Sequence, residues 1–279
     1  MARIIAAAEE EAFLSESRVL TALDILLACL QEKSGVLGEI SLKMNMDLSS
    51  LREHARDEND DDLHQSPFFR VPVSNEVNAI FNAAAKTMKR YNQVYLNEGH
   101  LLKALMNTET AARYLTDCNR KIILDLGTTS RDMIANLDLY IFPELPLQNI
   151  RRVNHNDFDQ LVYYVEEHFS SDWAQTVREG FLLSIPSMYI AFDNDGEIVG
   201  FAAFDIYKGK KGYFGPMGVS HSDRSKGYGY SLLHHCLKDM KDIGYAYAII
   251  GGAGPLEFYE KACGAVIIPK GDLTKVNII

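Results

Sequence analysis

A change of hydrophobic period near the middle of the chain constrains its fold more than any other feature. From Ala2 to about Asn136 apolar residues recur at helical spacing, glycine is sparse, and proline occurs only at Pro67 and Pro72. From Leu147 onward, short runs rich in β-branched and aromatic residues alternate with helical ones. Two of these runs, Ser187–Phe192 and Ile198–Phe204, flank Asp193-Asn194-Asp195-Gly196, which predicts an antiparallel hairpin. Phe142-Pro143-Glu144-Leu145-Pro146 breaks helix between the two patterns. The expectation is an α+β, two-domain chain. An all-α, two-repeat domain over residues 1–140 precedes a mixed α/β sheet domain over residues 146–279. Units of roughly 140 residues can each bury a core.

Charge and cysteine content exclude several function classes. The formal net charge of -10 argues against nucleic acid or an anionic membrane as partner. Cys29, Cys118, Cys236 and Cys263 form no CxxC pair and have no zinc-ligand spacing with a histidine, so no metal site is expected. They read as buried free thiols of a reducing compartment. The apolar N-terminus is cut off at Glu9-Glu10-Glu11, unlike a signal peptide. No apolar run approaches the ~18 residues that span a bilayer. A cytoplasmic protein is expected. Asp57–Asp62 is an acid run that reads as a solvated linker.

The helical half contains an internal repeat. Thr21–Leu30 matches Asn97–Met106, and each copy opens with a residue that can cap a helix. Ala7-Ala8 and Ala83-Ala84 keep the same upstream offset, which suggests close helix crossings. This half resembles the N-terminal domain of the Clp family of ATP-dependent unfoldases, two helical repeats with a motif of the form T-x-E-H-L-L-L-A-L. The second copy keeps His100-Leu101-Leu102, whereas the first has Leu23-Asp24 in place of Glu-His. No G-x-x-x-x-G-K-[ST] loop occurs in the sequence, so the ATPase phosphate cradle is missing. The resemblance implies a protein-docking or peptide-binding module. A packing or self-association role for residues 1–140 is the alternative.

The stretch with chemical content runs from Gly212 to Gly264. Tyr213–Val219 reads as a strand interrupted by Gly215, Pro216 and Gly218. Arg224-Ser225-Lys226-Gly227-Tyr228-Gly229 follows, and a helix begins there with Leu232, Leu233, Cys236, Leu237 and Met240 near one face. A strand, a glycine turn and a helix N-terminus make an anion site, because first-turn amides lack intrahelical partners and carry the positive end of the helix dipole. Gly227 and Gly229 admit a phosphate close to the backbone, and Arg224 and Lys226 supply countercharge. A Rossmann reading is disfavoured because Leu232 stands where a third glycine belongs.

Val219, Arg224, Gly227 and Gly229 match, position by position, the R/Q-x-x-G-x-G/A motif of the GNAT acetyltransferase superfamily, which this half resembles from about residue 146 to 279. Phe258-Tyr259-Glu260-Lys261 followed by Gly264 looks like that family's closing helix, and Ile150–Val153 with Asp157 like its opening. Gly251-Gly252 stands where the family usually has an asparagine. The resemblance implies acetyl-CoA as co-substrate, held by Met217, Gly218, Val219, Arg224, Ser225, Lys226, Gly227, Tyr228, Gly229, Tyr230 and Ser231. It implies Tyr259 as the general acid for the thiolate leaving group. Asp205, Glu257 and His221 are weighed as bases and none is assigned; the lone Trp173 reads as core or as an acceptor-pocket wall. His234-His235 are adjacent on a helix and so do not form a metal pair. Two readings follow. One is an N-acetyltransferase of the bacterial small-molecule kind, acting on an amine such as an amino sugar. The other is a non-catalytic acetyl-CoA sensor or adaptor that recruits partners through the Clp-like half.

Overall fold

The computed structural model describes residues 1–44, 46–57, 63–66, 68–90, 93, 95–145 and 149–269. The acid run from Glu58 to Asp62, Pro67, and Pro146 and Leu147 of the junction lie outside the described residues. Met1–Thr129 and Ser130–Ile268 are two compact units.

The first unit is built from α1 (Ala2–Leu14), α2 (Ala22–Gln31), α3 (Gly35–Met44) and α4 (Leu48–Asp57), then a short antiparallel ribbon of β1 (Leu63–His64) and β2 (Val73–Ser74), then α5 (Asn75–Arg90), α6 (Glu98–Leu105), α7 (Glu109–Tyr114) and α8 (Asp117–Gly127). The repeat is realised as α1–α2 against α5–α6. Ala8 and Ala84, the matched alanines, are both buried. Each copy's second helix opens with a reciprocal cap. Thr21 Oγ1 accepts the Asp24 amide at 3.3 Å, and Asp24 Oδ2 accepts the Thr21 amide at 2.8 Å. Asn97 Oδ1 accepts the His100 amide at 3.0 Å, and His100 Nδ1 accepts the Asn97 amide at 3.2 Å. The departure at Asp24 therefore keeps the physics of the motif: the third helical position must accept a hydrogen bond, and a carboxylate does this as an imidazole nitrogen does.

The helical periodicity read as far as Asn136 ends at Gly127 in the structure. β3 (Arg131–Asn136) alternates buried and exposed residues, with Met133 and Ala135 fully buried. Period two, over six residues, makes it a strand with one face on a core. It is followed by β4 (Asn149–Arg152), α9 (Phe158–His168), α10 (Ser171–Gly180), β5 (Met188–Phe192), β6 (Ile198–Phe204), β7 (Tyr213–Val219), α11 (Tyr228–Ile243), β8 (Tyr247–Ala253), α12 (Leu256–Cys263) and β9 (Val266–Ile267). The expected hairpin is β5–β6, closed by the Asp193 amide on the Glu197 carbonyl at 3.0 Å. Strand order is β4-β5-β6-β7-β8-β3-β9, antiparallel except for the parallel β7–β8 pair.

The sheet has a core on each face. Phe204, Phe214, Ile250 and Met133 pack with Leu233 and Leu237 of α11 and with α12. On the other face, Ile190, Phe201 and Ala203 pack with Leu161 and Val165 of α9 and Val177 of α10. Gly244 and Gly264 stop α11 and α12 in the left-handed region, φ 111° and 63°. Three of the four cysteines are buried as expected. Cys118, near the start of α8, is exposed instead.

β3 lies hydrogen-bonded between β8 and β9, so the sheet needs residues on the N-terminal side of the junction. A fragment beginning at Ser130 is expected to unfold cooperatively, and one beginning at Ile141 to melt at a clearly lower temperature. Thermal denaturation followed by circular dichroism makes the comparison; equal midpoints would show that β3 contributes nothing.

Candidate functional site

β7 and β8 pair at only two positions, Tyr213 with Ile249 and Phe214 with Ile250. Beyond them both strands carry a register shift. Ala202 faces Met217 and Phe204 faces Phe214, so Gly215 and Pro216 together stand opposite Ala203. On the far side of β8, Arg131 faces Ala253 and Met133 faces Ile250, so Gly251 and Gly252 stand opposite Asp132. A bulge bends and twists its strand. Two bulges at one level, one on each strand, part the strands and open a cleft between them. β8 runs on to Ala253, so Gly251 and Gly252 are its bulge and not the turn that follows it.

Met217, Gly218 and Val219 line this cleft in different ways. The Ser220 amide donates to the Val199 carbonyl at 2.9 Å, toward β6. Alternation along a strand then points the polar groups of Gly218 toward β6 and those of Met217 and Val219 toward the cleft. Gly218 has another task. A Cβ there would lie 2.4 Å from the Phe169 ring, so only glycine lets that ring seat on the strand. Phe169 stacks on Trp173, centroids 5.4 Å apart, and meets Phe201 edge-on. Trp173, partly exposed on α10, belongs to this aromatic group rather than to the deep core.

The turn from Ser220 to Gly227 delivers the helix end. Ser225 and Gly227 both lie in the left-handed region, φ 69° and 90°, and Gly227 is the N-cap of α11 without a side-chain cap. The Ser231 amide is bonded to Gly227 O at 3.1 Å, which leaves the amides of Tyr228, Gly229 and Tyr230 free of intrahelical partners. The Ser231 hydroxyl is buried with no hydrogen-bond partner among the described residues. Tyr228 and Tyr230 are half-buried against the α11 core, and the Tyr230 carbonyl bonds His234 Nδ1 at 2.7 Å.

The two cations of the turn differ. Lys226 is ion-paired with Asp223 at 2.8 Å. Asp223 also accepts the Ser220 and Ser222 hydroxyls at 2.7 Å each. Lys226 and these hydroxyls hold its carboxyl down at about 2. Arg224 is half-buried and has no carboxylate partner among the described residues; its Nε donates to the Val219 carbonyl at 3.2 Å. Burial lowers the Arg224 pKa, the sign of a charge held partly out of water. Tyr164 of α9, buried beside Ser220 with its phenol pushed up to about 12, supports this turn from below. Nothing in its local sequence marks it.

Tyr259 is buried on α12, its ring edge-on to Phe214 at 6.3 Å and to Phe258 at 4.9 Å. Burial pushes its phenol well above the ordinary value, so it stays protonated through neutral pH. Phe214 is the last β7 residue paired with β8, so Tyr259 sits at the apex of the cleft on its α12 side. Asp205, weighed as a base, is buried at the end of β6, where it accepts the Gly212 amide at 2.7 Å and the Tyr245 hydroxyl at 2.8 Å. It holds the β6–β7 hairpin. His221 is exposed and Glu257 half-buried. His234 bonds the Tyr140 hydroxyl at 2.6 Å while His235 stacks on Tyr189, and no metal-holding group occurs among the described residues. None of their helices is long and apolar enough to cross a membrane.

Comparison with known proteins gives the two halves their class. Residues 1–118 match the family model of the Clp repeat (R) N-terminal domain, and residues 150–265 that of the acetyltransferase (GNAT) family. The chain therefore carries a Clp N-terminal repeat domain followed by a GNAT N-acetyltransferase domain. Among solved structures it is similar to a glucosamine N-acetyltransferase region of a fungal multi-domain β-N-acetylglucosaminidase, at 16% identity over 50% of this chain and 20% of that one, TM-score 0.43. It is similar also to a GCN5-related N-acetyltransferase from Sphaerobacter thermophilus, at 23% identity over 50% of this chain and 49% of that one, TM-score 0.38. A GNAT-family acetyltransferase from Brucella melitensis in complex with acetyl-CoA shares 20% identity over 45% of this chain and 89% of that one, TM-score 0.35. The chain spans less than two thirds of the first two of these proteins. No curated protein matches it.

The unequal pairing of the two cations is testable. Arg224→Ala should weaken coenzyme A binding roughly ten-fold or more, the loss of a charge-assisted contact. Lys226→Ala, whose charge is already spent on Asp223 at the surface, should weaken it less than about three-fold. Isothermal titration with coenzyme A gives both numbers, and the reverse ranking would reject the assignment.

Proposed function

We propose that the chain is an acetyl-CoA-dependent N-acetyltransferase that acetylates the amine of a small molecule, with the helical unit Met1–Thr129 as a protein-docking module. The observation that carries this reading is the coincidence of a parted β7–β8 pair with an uncapped helix N-terminus one short turn away. The residues fit the co-substrate. Three first-turn amides, the unpaired Arg224 charge and the orphaned Ser231 hydroxyl all suit a diphosphate. The cleft-facing amides of Met217 and Val219 suit an extended amide-bearing arm, which would pair with them as an added strand does.

Acetyl-CoA supplies an activated thioester. The chain's own residues supply the rest. Backbone donors of β7 are fixed in place before reaction, so they can stabilise an oxyanion without reorganising, a contribution of order 100-fold per donor. Tyr259, kept protonated by burial, would give its proton to the departing sulfur, and the protons that the acceptor amine sheds would pass to water and back to Tyr259. The aromatic group Phe169, Trp173 and Phe201 covers the β7 backbone at Gly218 from the α9–α10 side and limits water there.

Gly227→Glu should abolish coenzyme A binding, since a carboxylate would meet the diphosphate and the left-handed backbone would be strained. Tyr259→Phe should leave coenzyme A affinity intact and lower kcat by about 100-fold, read by thiol release from acetyl-CoA across an amine panel. Unchanged kcat would remove Tyr259 from the acid role. Tight binding with no thiol release on any amine would turn the reading toward an acetyl-CoA-binding adaptor.

A further inference from the structure

The acceptor side of the cleft is finished by a residue outside the segment that matches the acetyltransferase family. β3 precedes residue 150, yet it is the strand bonded to β8 where the cleft opens. Its Asp132 side chain is exposed on the sheet face away from α11 and α12, since its neighbour Met133 points into their core. Asp132 Oδ1 accepts the Gly252 amide at 2.8 Å, and the other carboxylate oxygen has no partner among the described residues. Tyr213 reaches the same place from β7. Its ring lies over Gly251 so closely that a Cβ there would fall 1.6 Å from the hydroxyl. This explains why glycine, rather than the asparagine usual in the family, occupies Gly251. A carboxylate oxygen and a phenol oxygen thus converge on Gly251-Gly252, directly after Ile250, the last β8 residue paired with β7.

Resting on the acetyltransferase reading above, we propose that Asp132, with the Tyr213 hydroxyl, binds the ammonium group of the acceptor, and that the acceptor is a monoamine. Two acceptor oxygens, one of them charged, fit an N–H-rich cation and would hold its nitrogen on the sheet face opposite Tyr259. The ammonium gives one proton to water, the free amine adds to the thioester carbonyl, and the adduct expels the thiolate, which takes the proton of Tyr259 on the other side of the cleft; the second amine proton restores Tyr259. The surrounding charge sets the limit of one ammonium. Lys210 Nζ lies 4.8 Å from the Tyr213 ring centroid and Lys208 Nζ 5.2 Å from that of Tyr207, whose ring stacks on Tyr213, and neither has a carboxylate partner among the described residues. Lys211 is paired with Asp205 at 3.7 Å. Two uncompensated cations beside the site repel a polyamine or a lysine-rich peptide.

The test uses the full chain loaded with coenzyme A and compares wild type with Asp132→Asn. Asparagine keeps the size and the acceptor for the Gly252 amide and removes only the charge. The probes are ethanolamine, spermidine, and methoxyamine, which is uncharged at neutral pH. Binding is read from the Gly252 backbone amide shift, and turnover from thiol release with acetyl-CoA. Ethanolamine should shift Gly252, bind better than spermidine, and lose roughly ten-fold or more in affinity and in 1/KM in Asp132→Asn. Methoxyamine should lose little. Acetyl-CoA affinity should not change. Thiol release on ethanolamine that is equal in both proteins would overturn the Asp132 assignment while leaving acetyl transfer standing. A Gly252 shift confined to wild type, with no thiol release, would support the ammonium site and reject acetyl transfer. No shift and no release would reject both, and a preference for spermidine would overturn the monoamine limit.

Discussion

The site depends on a parallel strand pair that is allowed to fail. Strands held by a ladder of backbone bonds do not separate without a cause, because each buried group left unpaired costs free energy. Here each strand carries its own cause at one level. On β7, Gly215 and Pro216 crowd opposite Ala203, and proline has no amide to give a ladder. On β8, Gly251 and Gly252 crowd opposite Asp132, whose carboxylate takes the Gly252 amide that the bulge releases. The two bends diverge, and the amides of Met217 and Val219 are turned toward the cleft, while the Val219 carbonyl is taken by Arg224.

The turn after β7 follows the same logic of satisfied and unsatisfied groups. Asp223 gathers Ser220, Ser222 and Lys226 into a closed network, which fixes the turn in its left-handed course through Ser225 and Gly227. That network consumes one of the two cations the motif offers. Arg224, bonded to a carbonyl and to no carboxylate among the described residues, and the first amides of α11 remain. Structural and ligand-directed charge lie side by side in six residues, and identity alone does not say which is which.

Much of this was legible in the sequence. The hairpin Asp193–Gly196, the helix start at Tyr228, the capping residues Thr21 and Asn97, and the irregularity at Gly215-Pro216 all rest on local chemistry, which reads directly from neighbours in the chain. What was not legible depends on contacts far apart. Arg131–Asn136 is short and follows a helix closely, so its period-two pattern merges with helical spacing until β8 and β9 are seen on either side. Asp205 looked like a free acid because its partners, Gly212 and Tyr245, are brought to it only by the hairpin and the turn after α11. Tyr164 carries no local mark of its place beside Ser220. Cys118 looked buried by analogy with its fellows, but its position near a helix start leaves it exposed.

The family segment and the folded unit do not coincide, and this has a physical consequence. Residues 150–265 supply the cleft, the helix end and Tyr259, but β8 would be an open edge without a strand beside it, and an exposed edge invites pairing with other chains. β3 closes that edge and at the same time brings a carboxylate to the bulge. The strand starts two residues after the helical unit ends, at Thr129. One six-residue segment therefore connects the repeat domain to the sheet, seals the sheet, and presents Asp132. A substitution in β3 cannot be assigned to linker, core or site by position alone; the face on which its side chain lies decides, with Met133 and Ala135 in the core and Asp132 at the cleft.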